Sequence, residues 1–72
     1  MTQGERIVAY IKEFGSISPM EAFNALGITK LATRVGELSR EGVKFEKYMM
    51  ESQNRYGDKV RYMRYWLAEG EK

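Results

Sequence analysis

Ser18-Pro19-Met20-Glu21-Ala22-Phe23-Asn24-Ala25-Leu26-Gly27-Ile28-Thr29-Lys30-Leu31-Ala32-Thr33-Arg34-Val35-Gly36-Glu37-Leu38-Ser39-Arg40 reads as two short helices and the turn between them. Ser18 brings the hydroxyl that an N-cap needs. Pro19 suits the first helical position, where its missing N–H would have had no partner, and Glu21 favours the positive end of the helix dipole. A helix over residues 18–26 follows, with Ala22, Phe23 and Leu26 as its buried stripe. Gly27 supplies the left-handed residue that ends it, and Ile28 plugs the gap before the next helix. Thr29 is a further start signal and opens a helix over 29–41, which Arg40-Glu41-Gly42 closes. At about 100° per residue, Leu31, Val35 and Leu38 cluster within about 60°. Thr29, Lys30, Thr33, Gly36, Glu37 and Arg40 project from the opposite side, with Ala32 and Arg34 on the flanks.

On the N-terminal side, Thr2 and Glu5 have the spacing of a capping box, and a helix over residues 2–14 places Ile7, Val8, Ile11 and Phe14 on one face. Gly15 stops it. Ser16-Ile17-Ser18 is extended, with Ile17 as a minimal edge strand. On the C-terminal side the period changes from helical to alternating, giving strands over 43–51 and 59–67. With the tip around Arg55-Tyr56-Gly57-Asp58, Phe45 faces Leu67, Lys47 faces Tyr65 and Met49 faces Met63. That register turns Phe45, Met49, Met63 and Leu67 toward the helices. Gly57 fits the positive φ of the tip. Tyr48, Tyr62 and Trp66 fall on the outer face, which aromatics of a small hairpin commonly cover. The polar tail over 68–72 is expected to fray. The fold class is α+β: one domain over 1–72, with three helices, a C-terminal two-stranded hairpin and a minimal third strand at Ile17.

Length and composition narrow the chemistry. A chain of 72 residues is expected to bury only ~60% of the surface it exposes when unfolded, which leaves no room for a second lobe bearing a site. The absence of cysteine and histidine removes the disulfide framework, the thiolate nucleophile, the imidazole base and the usual zinc ligands. There is no Gly-rich phosphate loop and no pair of carboxylates in an evident pocket, so neither an enzyme nor a cofactor is expected. No apolar run approaches the ~18 to 20 residues of a membrane span, and Met1-Thr2-Gln3-Gly4 lacks the features of a secretion signal. The expected location is the cytoplasm, away from any membrane.

The net charge of +2 hides an uneven distribution. Residues 1–27 hold Arg6 and Lys12 against Glu5, Glu13 and Glu21. Residues 28–67 hold Lys30, Arg34, Arg40, Lys44, Lys47, Arg55, Lys59, Arg61 and Arg64 against Glu37, Glu41, Glu46, Glu51 and Asp58. The basic excess lies in the half that would face a polyanion. The outward face of the third helix carries short hydroxyls, flexible cations and no bulky aromatic, which suits major-groove readout, and Arg34 could reach a phosphate or a guanine edge. Around the hairpin tip, Arg55, Lys59 and Arg61 stand where a phosphate backbone or a minor groove would be met, with Asn54 and Tyr56 as hydrogen-bonding neighbours. The candidate DNA-binding residues are therefore Thr29, Lys30, Thr33, Arg34, Arg40, Arg55, Lys59 and Arg61. Glycine inside a helix costs ~1 kcal/mol against alanine, so Gly36 either allows close approach to bases, packs against a strand, or is merely tolerated. Glu37 is better read as an intrahelical partner of Arg34, Lys30 or Arg40 than as an acceptor from cytosine.

Ser18-Pro19-Met20-Glu21-Ala22, Leu26-Gly27-Ile28-Thr29, Leu31-Ala32, Arg34-Val35 and Leu38, followed by Asn54-Arg55-Tyr56-Gly57 and Tyr65-Trp66-Leu67, resemble the small winged helix-turn-helix proteins of bacteriophages and prophages. The resemblance covers nearly the whole chain. It departs from the older wingless pattern, which spaces alanine and glycine four apart, whereas Ala22 and Gly27 are five apart. It implies a sequence-specific duplex-DNA binder that regulates transcription, with the third helix as recognition helix and the hairpin as wing. One module reads a short half-site, so a homodimer or tandem array is compatible. Two alternatives stand beside this reading. One is a module that docks on a host protein through Tyr48, Met50, Tyr62 and Trp66; the other is an excisionase-like architectural factor that bends DNA.

Overall fold

The computed structural model describes residues 1–70. Helix α1 spans Gln3–Phe14, α2 Pro19–Leu26 and α3 Leu31–Arg40; strand β1 spans Phe45–Gln53 and β2 Lys59–Leu67. The first two helices are capped as their sequences dictate. Thr2 Oγ1 accepts from the Glu5 N–H at 3.1 Å while the Glu5 carboxylate accepts from the Thr2 N–H at 2.9 Å. Ser18 and Glu21 form the same reciprocal box at 3.3 and 3.0 Å. Each box satisfies backbone donors that a helix start leaves open.

The turn after α2 is longer than expected. Gly27 is left-handed (φ 69°, ψ 23°), its N–H donates to the Phe23 carbonyl, and the Ile28 N–H donates to the Ala22 carbonyl, each at 3.0 Å. These bonds fold Ile28 back into the core. The chain then needs two more residues to change direction: Lys30 has φ −123° and ψ 59°, outside the helical region. Helix α3 therefore starts at Leu31 and ends at Arg40, which corrects the expected 29–41, and Thr29 lies before it without capping it.

The hairpin has the expected register, with Phe45 opposite Leu67, Lys47 opposite Tyr65 and Met49 opposite Met63. Its first strand is shifted, from the expected 43–51 to Phe45–Gln53. Gly42 (φ 106°) and Val43, whose N–H donates to the Leu38 carbonyl at 3.0 Å, belong to the turn out of α3. Pairing continues to Gln53 and Lys59. The tip is fastened by Asn54, whose Oδ1 accepts from the Tyr56 and Asp58 N–H groups at 2.9 and 3.1 Å. Ile17 adds the third strand as a single antiparallel bridge, exchanging two 2.9 Å bonds with Tyr65.

Ile7, Ile11, Ile17, Ala22, Ile28, Leu31, Val35, Tyr65 and Leu67 form the core, to which all three helices and β2 contribute. Three expected core residues are exposed instead: Phe14, Phe23 and Met49. Phe23 is about 100° around α2 from the fully buried Ala22, so it leaves the core side of that short helix. Phe14 sits in the last turn of α1 and meets Tyr10, ring centroids 4.6 Å apart, rather than the core. Met49 is on the inward face of β1, but the hairpin outruns the helices there: every residue from 51 to 61 is exposed. The overall extents of 39 × 24 × 21 Å reflect that projecting wing. At its other end the hairpin is tied, because the Ala68 N–H donates to the Lys44 carbonyl at 3.0 Å. This corrects the expectation that fraying begins at Ala68; residues 71–72 of that tail lie outside the described residues. No described helix is long and apolar enough to cross a membrane.

Candidate nucleic-acid interface

Helix α3 is anchored on one side and open on the other. Leu31 and Val35 are buried, and Leu38 packs on the core between them and α1. Gly4 permits that approach: a Cβ there would lie 2.8 Å from Leu38 Cδ2. Arg34 makes a second attachment. Its Nε donates to Gln3 Oε1 at 2.7 Å, and its Nη1 donates to both carboxylate oxygens of Glu37, at 3.0 and 3.1 Å. The guanidinium thus links α3 to the start of α1 and takes Glu37 as its intrahelical partner.

Across from these anchors, Thr29, Lys30, Ala32, Thr33, Ser39 and Arg40 are exposed. Gly36 lies among them, and a Cβ there would meet nothing within 4 Å, so this glycine does not pack against a strand. The open face is turned further toward Ala32 and Ser39 than expected. Helical angles alone do not mark Ser39: it lies about 80° around α3 from Leu31 and only about 40° from the buried Val35, so its exposure is a finding of the structure. Lys30 is the N-cap residue and supplies no side-chain bond to the first turn. Neither Lys30 nor Arg40 has a carboxylate within salt-bridge distance among the described residues.

The wing carries the remaining candidates. Arg55 is exposed at the tip, and Lys59 and Arg61 are exposed on one face of β2. Alternation places Lys47 on that same face, so period two adds a cation that was not singled out. Arg61 Nε lies 3.3 Å from Glu51 Oε1 on the neighbouring strand. The Asn54 side-chain oxygen is committed to the backbone of the tip, where it accepts from the Tyr56 and Asp58 N–H groups. On the outer face Tyr48 and Trp66 meet edge to face with centroids 5.4 Å apart.

One polar cluster had no signal in the sequence. Arg64 donates to Ser16 Oγ at 2.8 Å and to the two Glu21 carboxylate oxygens at 3.0 and 3.3 Å, fastening β2 to the start of α2. Burial alone would raise the Glu21 pKa, but the bonds from Arg64 and from the Ser18 backbone and hydroxyl outweigh it and hold the carboxyl below its ordinary value. Desolvation disfavours the Arg64 cation, and Glu21 more than offsets that, so its pKa is raised. Burial pushes the Tyr65 phenol upward. Among the described residues no group of three or more His, Cys, Asp or Glu could hold a metal ion. The exposed cations and hydroxyls of α3 and the wing can instead hydrogen-bond and neutralise a polyanion.

The family model for the winged helix-turn-helix domain matches residues 2–70. No curated protein and no solved structure matches the chain. The chain belongs to the winged helix-turn-helix family, whose domains generally bind DNA rather than catalyse reactions.

Proposed function

We propose, with membership of the winged helix-turn-helix family as the premise, that this chain binds double-stranded DNA sequence-specifically and acts in the cytoplasm as a phage or prophage transcriptional regulator. The observation that carries the proposal is the two-sidedness of α3: Leu31, Val35, Leu38 and Arg34 hold one side, and the other offers small side chains, the cations Lys30 and Arg40, which no carboxylate among the described residues pairs with, and the Glu37 carboxylate, which Arg34 neutralises. That slim face enters the major groove. Thr33 and Arg40 reach base edges, and Lys30 and Thr29 lie at the groove wall. The first-turn N–H groups of α3, which no side chain caps, meet a phosphate. Arg55, Lys59 and Arg61 grip the backbone beside the groove. Arg34 keeps the helix in position from behind. The regulatory role and the phage or prophage setting rest on the sequence resemblance.

Selection of bound fragments from a pool of random duplex DNA tests this reading. The expected outcome is an enriched short motif, single or repeated about one helical turn apart if two copies bind together. Recovery of fragments with no shared motif would leave only nonspecific binding and defeat the proposal.

A further inference from the structure

We infer that the outer edge of β2 is a docking strand for an extended segment of a partner protein in which acidic and apolar residues alternate. In an antiparallel ladder, successive residues direct their backbone N–H and C=O groups alternately to one neighbour and then the other. Tyr65 spends both of its groups on Ile17, away from β1. Alternation then points the groups of Met63, Arg61 and Lys59 to that same side. Continuing the Ile17 ladder would bring Pro19 to Met63, but Pro19 has no N–H and already begins α2. The ladder therefore stops after a single bridge. Among the described residues nothing pairs with the outward backbone groups over 59–63.

A cleft of about 570 Å³ runs along this edge, with Pro19, Met20 and Glu21 on one wall and Val60, Arg61 and Tyr62 on the other. Met20 is 67% exposed and Val60 40%. A strand laid in the cleft would alternate its side chains between two surroundings. On one face they meet Lys59 and Arg61; on the other they meet Val60, Tyr62 and Met20. Carboxylates suit the first and apolar groups the second. The Arg61–Glu51 pair, with side chains 71% and 55% exposed, is of the weak, solvent-screened kind that an incoming carboxylate can replace. Glu21 lines the cleft but is already neutralised by Arg64. A second copy of this edge fits poorly, because antiparallel pairing over 59–63 centres on Arg61 and sets it against the same cation of the copy. Strand addition of this kind takes affinity from main-chain bonds and specificity from alternate side chains.

The test uses isotopically labelled protein, without DNA, titrated with a short peptide alternating glutamate and valine and with its lysine-valine counterpart. Its outcome is thus independent of the DNA-binding proposal. The expected result is that the glutamate peptide shifts the Lys59, Arg61 and Met63 amides and slows their hydrogen exchange at least tenfold, that Arg61→Glu weakens binding at least tenfold, and that the lysine peptide does not bind. Three results would overturn the inference: equal binding of both peptides, shifts without added protection of those three amides, or protection of the same amides by self-association before peptide is added.

Discussion

Two glycines in helices have opposite surroundings, and they make opposite predictions. At Gly36 an added methyl meets open space, so Gly36→Ala should raise stability by about 1 kcal/mol through helix propensity alone, measurable by denaturant titration. At Gly4 the same methyl would press on Leu38, and Gly4→Ala should lose that gain to repacking. If α3 seats its backbone close to the bases, Gly36→Ala should bind a selected DNA site more weakly while being the more stable protein. Thr33→Val and Arg40→Ala should alter sequence preference, by about 1 to 3 kcal/mol at the base pair concerned, whereas Arg55→Ala should weaken binding to all duplexes similarly. Equal effects of both classes on every sequence would contradict the assignment. The exposure of Thr29, Lys30, Thr33 and Arg40 was legible in the sequence, and that of Ser39 was not. The occupation of Arg34 was not, since its partner Gln3 lies 31 positions away and no local pattern connects them.

Elements whose signals are local are legible in the sequence, and those shaped by tertiary demands are not. The Thr2–Glu5 capping box, the Ser18 N-cap and the left-handed end of α2 follow from residues a few positions apart, whereas the return bond from Glu21 to the Ser18 N–H goes beyond the dipole role expected of that carboxylate. The hairpin register follows from Phe45, Met49, Met63 and Leu67 sharing a face. The start of α3 failed this logic: Thr29 has a good capping side chain, but burial of Ile28 fixes the path of the chain and moves the first helical residue to Leu31. The role of Arg64 was hidden for a similar reason, because Ser16 and Glu21 reach it only after β2 has docked. Ser18→Ala should remove a cap from α2 and cost ~1 kcal/mol. The Glu21–Arg64 contact also gives stability a pH dependence. The Glu21 carboxyl titrates below its ordinary value of 4.5 in the folded chain, so near that pH the unfolded chain binds more protons. The stabilisation is complete above the unfolded value and is lost as pH falls through the lower, folded value. Glu5, held down by the Thr2 N–H and hydroxyl, has the same sign. Thermal melting between neutral and acid pH should show the midpoint falling below about pH 4.5, and the fall should be shallower in Glu21→Gln. An unchanged slope would remove the contact from the account.

At the scale of the molecule, three helices and β2 share one core, and the hairpin projects beyond it. The layout was legible from the alternation of caps, helical stripes and a two-residue period. What the sequence could not supply was how far the wing extends past the helices, because burial of Met49 depends on where α1 and α2 end in space. The basic excess over residues 28–67 spans α3 and the wing, so binding should show counterion release. If about six phosphates are neutralised, affinity should fall with a log–log salt slope of about −5. A salt-insensitive complex would remove the electrostatic half of the proposal. The most direct test of the whole account is an amide shift map recorded while labelled protein is titrated with duplex DNA carrying a selected site. Shifts concentrated over residues 29–40 and 54–61, with the outer face of the hairpin unmoved, are the predicted result. A map in which α3 is silent, whether or not other residues respond, would contradict it.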